Sequence, residues 1–186
     1  MTPTMTPFER VQTDSFVTRW MQATLITGLT CVCARLSVPL PFTPVPVTMQ
    51  VFAVLLSGLL LGRRWGTVAQ LQYLLLGVMG LPVFALGRSG IGVLFSLTGG
   101  YLLSYPVAAG MTGWFSRRWP GMAGQSAGCA VGLAIIYGLG CLWLGLMSQT
   151  VLSVRSIFVM GAGWFIAWDG VKALLAIAVA GGLKRR

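Results

Sequence analysis

Two ionisable residues stand where a chain this apolar has few polar residues at all. In "WDGVK", Asp169 and Lys172 lie at an i, i+3 spacing inside the last apolar run. On a helix, residues three apart share a face, so this acid and this base can meet. Charges inside a membrane span are expensive and face a cavity or each other. Two readings stay open. The pair is an intrahelical ion pair that neutralises itself and pins its helix to its neighbours, or it lines a ligand pocket. In the pocket, the carboxylate accepts N–H bonds and the ammonium meets an anionic group.

Other chemistry is scarce. The chain has no histidine, and of its three carboxylates Glu9 and Asp14 fall in the N-terminal tail. Acid–base pairs, catalytic triads and common metal-ligand clusters therefore lack members, and neither a metal nor a cofactor is expected. A serine–lysine dyad through Lys172 is formally open, but no serine is obviously placed for it. "GRSGIG" at 87–92 resembles a phosphate-binding glycine loop without the strand and helix such a loop needs. It reads better as a turning loop that approaches another backbone or a ligand. Cys31, Cys33, Cys129 and Cys141 sit in apolar surroundings and read as small packing residues.

The elements that must hold Asp169 and Lys172 belong to a bilayer. Over 186 residues the mean hydropathy is +0.83, with 9% charged residues. Apolar runs at about 20–38, 48–61, 67–81, 101–115, 122–147 and 157–183 predict an all-α integral membrane protein of six transmembrane helices. Residues 1–19 read as a cytoplasmic tail, 20–183 as the membrane domain and 184–186 as a basic cytoplasmic end. Outer loops fall at about 39–47, 82–100 and 148–156, and the 83–100 stretch is too broken by glycine to span.

Charge tests the count. The net charge of +10 comes from basic residues at the ends of apolar runs, with no aromatic-interleaved stripe, so nucleic acid is not the expected partner. With both termini inside, the cytoplasmic face collects Arg10, Arg19, Arg63, Arg64, Arg117, Arg118, Lys184, Arg185 and Arg186. The outer face receives Arg88 and Arg155, with Arg35 near the outer end of the first span. That asymmetry is the positive-inside pattern, and five spans would put a basic cluster outside.

The second and third spans are short, about 21 Å of helix at ~14 residues. Neighbouring elements must cover their ends, and loop backbone at that depth must be buried or line a cavity. "PLPFTPVPVTMQ" at 39–50 follows the first span. Pro39, Pro41, Pro44 and Pro46 forbid helix and make this an extended, stiff segment, a wall or lid over something. Gly58 with Gly62, and Gly124, Gly128 and Gly132, keep a four-residue spacing and read as helix-packing signals.

Taken in order, "PLPFTPVPVTMQ", "GLPVF", "TGGYLL" and "DGVK" resemble the biotin-specific substrate-binding (S) component of energy-coupling-factor (ECF) transporters, the BioY family, over about residues 20–183. The resemblance implies the ECF S-component fold in the bacterial cytoplasmic membrane. It implies biotin captured from outside beneath the first loop, and partnership with a transmembrane coupling protein and two cytoplasmic ATPases, with no catalysis by this chain. The implied release step is toppling in the membrane. Carried over residue by residue, the sixth-helix acid and lysine fall on Asp169 and Lys172, and a polar residue of the glycine-rich loop on Arg88. The loop wall falls on Phe42, Thr43, Pro44, Val45, Pro46, Val47 and Thr48, and the ring floor on Phe84 and Tyr101. The family's small-residue face for the coupling protein reads as Ala23, Thr27 and Cys31 or as Thr24 and Gly28. Biotin's fused ring offers two N–H donors, one C=O acceptor and a carboxylate tail. Asp169 suits an N–H, and either Lys172 or Arg88 suits the carboxylate. The alternatives are an S component for another vitamin, or a helical membrane subunit with no transport role.

Overall fold

The computed structural model describes residues 16–148 and 153–184. Expectations for the tail before residue 16, for 149–152 of the last loop and for Arg10, Arg185 and Arg186 lie outside the described residues. In chain order the elements are α1 (Phe16–Arg35), β1 (Ser37–Leu40), β2 (Thr43–Thr48), α2 (Gln50–Val78), α3 (Gly99–Arg118) and α4 (Met122–Met147). A short α5 (Val154–Phe158), a π turn (Val159–Gly163) and α6 (Ile166–Lys184) complete the chain. Between α2 and α3 it makes two short 3-10 turns, Ala85–Gly87 and Ile91–Phe95, as the glycine content of that stretch requires.

α2 is not a single rod. Gly62 holds φ 78° and ψ −172°, a conformation reserved for glycine. Beyond it the chain doubles back, so that Gln50 Nε2 lies 2.5 Å from Tyr73 Oη. In a straight helix those residues would stand about 34 Å apart. The two limbs correspond to the short second and third spans expected from the sequence, with Arg63 and Arg64 at the bend. Arg117 of α3 donates to the Leu61 carbonyl at 2.9 Å and caps the first limb. By length and hydropathy, Gln50–Val78, Met122–Met147 and Val154–Leu183 qualify to cross a bilayer, the first of them in two limbs.

The glycine ladders pack helices, as their spacing predicts. Gly58 lies against Ala109 and Gly113 of α3, and Gly128 and Gly132 of α4 lie against Thr112. Close approach lets Thr112 donate across the interface to the Gly128 carbonyl at 3.1 Å. The core formed between these helices, which includes Val54, Leu55, Tyr105, Ala108, Ile136 and Phe165, continues into the walls of the site.

Three sequence expectations need correction. The fold is not purely α, because the proline stretch pairs with the residues before it as an antiparallel hairpin, Ser37 opposite Thr48 and Val38 opposite Val47. A two-stranded ribbon tolerates this composition: Pro44 and Pro46 are two residues apart, so both missing donors fall on one edge of β2. The first helix ends at Arg35 rather than Val38, since Val38 belongs to that hairpin. The tail does not reach residue 19; α1 is already formed at Phe16, whose ring packs edge-on to Trp20 and Trp65 at centroid distances of 5.9 and 5.7 Å. The expected last span is met by one helical stretch, Val154–Leu183, with a widened π turn at Val159–Gly163.

Candidate functional site

Asp169 sits in the first turn of α6 and Lys172 one turn on, and both are buried, at 4% and 8% exposure. Lys172 Nζ lies 2.5 Å from Asp169 Oδ1, so the spacing does bring the charges together. Each has a second partner from another element. Tyr137 of α4 donates to Asp169 Oδ2 at 2.5 Å, and Lys172 donates to the Thr48 carbonyl, at the end of β2, at 2.7 Å. An unpaired charge at this depth would cost several kcal/mol; pairing and hydrogen bonding remove most of that penalty. Neither group is saturated. An ammonium has three donors and uses two here, and the carboxylate retains further lone pairs.

The pair lines a partly enclosed cavity and is buried within it. The space among its lining residues, with the open solvent at its mouth included, is about 660 Å³. Val45, Pro46 and Thr48 of the hairpin form one wall, and Phe84 and Tyr101 lie among its apolar surfaces. Phe84 is fixed because its ring occupies the space over Gly77, where any side chain would collide with it. Its edge also meets Tyr73 at a centroid distance of 5.6 Å.

Arg88 stands at the mouth and is exposed. The turn that places it is closed by the Phe84 amide donating to the Arg88 carbonyl at 3.1 Å, which sends Phe84 inward and leaves Arg88 outside. Asp169 is the sole carboxylate among the described residues and is held by Lys172, so Arg88 has no acidic partner there.

Seven of the eight expected site residues therefore line one cavity: Asp169, Lys172, Arg88, Val45, Pro46, Phe84 and Tyr101. Thr43 does not. Its hydroxyl donates to the Met160 carbonyl at 2.7 Å and ties the hairpin to the π turn. Tyr101 Oη donates to the next carbonyl of that turn, Gly161, at 2.8 Å. Of the remaining wall residues, Thr48 lines the cavity, while Pro44 faces a separate outer depression. Phe42 packs on Trp164, with ring centroids 5.3 Å apart. Val47 is half-buried and pairs with Val38 outside the cavity lining.

Gln50, Tyr105 and Tyr137 also line the cavity and were not singled out from the sequence. Tyr105 had a signal, since it follows Tyr101 by one helical turn. Gln50 had one too, as the last residue of the proline stretch. Tyr137 had little, because its apolar neighbours on α4 do not mark its side of the helix. On α1, Ala23 and Thr27 are buried at 0% and 2%, with Thr27 donating to the Ala69 carbonyl at 2.8 Å. Thr24 and Gly28 are exposed, with open space above Gly28.

A mostly helical membrane protein with a hairpin over a cavity, and with one buried acid–base pair within that cavity, defines a membrane-embedded solute-binding protein. The fold is shared with the crystal structure of the S-component for biotin from an ECF-type ABC transporter, at TM-score 0.83 and 23% identity, over 98% of this chain and 96% of that one. The BioY family model matches residues 4–186, and the chain belongs to the BioY family. It is 39% identical over 165 residues to the biotin transporter BioY of Thermotoga maritima, covering 89% of this chain and 95% of that protein. It is 36% identical over 156 residues to the probable biotin transporter BioY of Pyrococcus horikoshii, covering 84% and 90%. Membership places the chain among transporters and not among enzymes.

Proposed function

We propose that this chain captures biotin at the outer face of the bacterial cytoplasmic membrane, as the S component of an ECF transporter. The observation that carries the reading is the Asp169–Lys172–Tyr137 cluster within the cavity, in a chain whose relatives are named biotin transporters. A ureido ring is apolar on its faces and polar at its edge. Asp169 accepts a ureido N–H, the spare donor of Lys172 meets the ureido oxygen, and Phe84, Tyr101, Val45 and Pro46 cover the ring. Lys172 already serves Asp169 and Thr48, so Arg88 at the mouth is the cation left for the carboxylate. That assignment runs the ligand from α6 outward to the lip of the cavity.

The two limbs of α2, with α1, α3, α4 and the α5–α6 unit, make the six spans that the charge pattern asks for, with both termini cytoplasmic. The exposed Thr24 and Gly28 face of α1 is the side offered to a transmembrane coupling protein, with two cytoplasmic ATPases beyond it. Ala23 and Thr27 are occupied inside the molecule and are unavailable for this contact.

Equilibrium binding in detergent, biotin against thiamine and riboflavin, tests the proposal. Saturable binding of biotin alone is expected. Failure to bind biotin, or equal binding of another vitamin, refutes it.

A further inference from the structure

Outside the cavity lies a second, wider depression, lined by Pro44, Arg88, Phe95, Ser96, Leu97, Thr98 and Met147. It is shallower and more open to solvent than the cavity. The two spaces adjoin, with Arg88 and Thr98 lining both. The floor is fixed and not a loose loop. Trp143 Nε1 of α4 donates to the Ser96 carbonyl at 3.0 Å, and the Ser96 and Thr98 hydroxyls lie 3.2 Å apart.

We propose that this depression is a subsite for a chain attached to the ligand's carboxyl end, so that the protein accepts biotin in amide linkage to lysine as well as free biotin. This rests on the biotin reading of the inner cavity. Asp169 and Lys172 are buried while Arg88, which lines the same cavity, is exposed, so a ligand whose ring meets the pair and whose tail reaches solvent by Arg88 runs toward the depression. Whatever is joined to that tail passes Arg88 and enters the depression beyond. An amide carbonyl still accepts from the guanidinium. The attached lysine ends in a zwitterion, and its α-carboxylate, turned toward the guanidinium with the α-ammonium toward solvent, gives Arg88 an acidic partner that no described residue supplies. Pro44, Phe95, Leu97 and Met147 give the lysine methylenes an apolar surface, and Ser96 and Thr98 give its polar end hydroxyls.

The test compares the dissociation constants of biotin and of ε-N-biotinyl-lysine for the full chain in detergent, in the parent and in Leu97→Trp, which fills the depression at a residue outside the inner cavity. Expected values are a biotinyl-lysine constant within tenfold of biotin's in the parent. In the variant the biotinyl-lysine constant should rise at least tenfold further, with biotin's changed less than threefold. Biotinyl-lysine binding more than tenfold weaker than biotin in the parent overturns the subsite. So does a Leu97→Trp variant that weakens biotinyl-lysine less than tenfold, or that weakens both ligands in proportion. A parent that binds neither ligand refutes the reading of the inner cavity, and the subsite with it.

Discussion

Removing the charges buried in the cavity in two stages separates their service to the fold from their service to the ligand. Asp169→Asn keeps the shape of the side chain but leaves Lys172, 8% exposed, without its counter-ion. Breaking a buried pair from one side costs about 3–5 kcal/mol, so thermal unfolding of the single variant in detergent should fall well below the parent. Adding Lys172→Met removes the stranded ammonium while keeping most of the side-chain volume. Replacing both members of a buried pair with uncharged groups is often neutral or better, so most of the lost stability should return. Affinity should behave differently. The double variant has lost both charged groups that meet the ring, and hydrogen bonds to charged groups are worth about 1.5–3 kcal/mol each. At 1.4 kcal/mol per tenfold, isothermal titration should show biotin binding weakened at least a hundredfold in a protein that unfolds near the parental temperature. A refolded double variant that binds biotin as the parent does would refute the ligand role and leave the pair a structural pin.

Three further outcomes follow from separate features. Arg88→Gln should weaken biotin about tenfold, in line with one charge-assisted bond at an exposed position, and weaken biotin methyl ester, whose neutral carbonyl makes the weaker bond, less than threefold; parallel titrations of the two ligands read the difference. Thr43→Val removes the hydroxyl that reaches Met160, and a net hydrogen bond of about 1 kcal/mol predicts roughly fivefold faster biotin release in stopped-flow, with the capture rate unaltered. Gly28→Trp, on the exposed side of α1, should leave biotin affinity at the parental value and abolish co-purification of the coupling protein from native membranes.

The chemistry of α6 was legible because it depends on local geometry. Three residues of separation fix which side chains share a face, and two charges in an apolar run must be satisfied. The stiff outer segment was legible as extended for the same reason, since proline acts on its own φ and on its neighbour. That it would be a hairpin was not, because pairing Val38 with Val47 is a choice between residues distant in sequence. Thr43 shows the same limit at a single residue. Alternation along β2 turns Thr43 and Val45 to one side, but it cannot say that the strand outruns the rim of the cavity, so that Thr43 meets Met160 instead of ligand. Tyr137 was hidden because the glycine spacing of α4 marks the face that packs on α3, and the apolar residues around Tyr137 give no sign that its side of the helix turns toward Asp169. The short second and third spans and the turn between them at Arg63 and Arg64 were legible from length and charge; that one glycine dihedral, at Gly62, makes the turn was not.

Both hydroxyls that anchor the roof and the floor to the π turn, Thr43 and Tyr101, end on peptide oxygens, those of Met160 and Gly161. The receiving half of the fastening is thus written in backbone shape and not in residue identity. Substituting Met160 by alanine would leave its carbonyl in place, so side-chain scanning would pass over this half of the clasp in silence. It becomes visible only to changes that rewind the helix there, such as deleting one residue from the widened turn, which would swing both oxygens away from their donors at once.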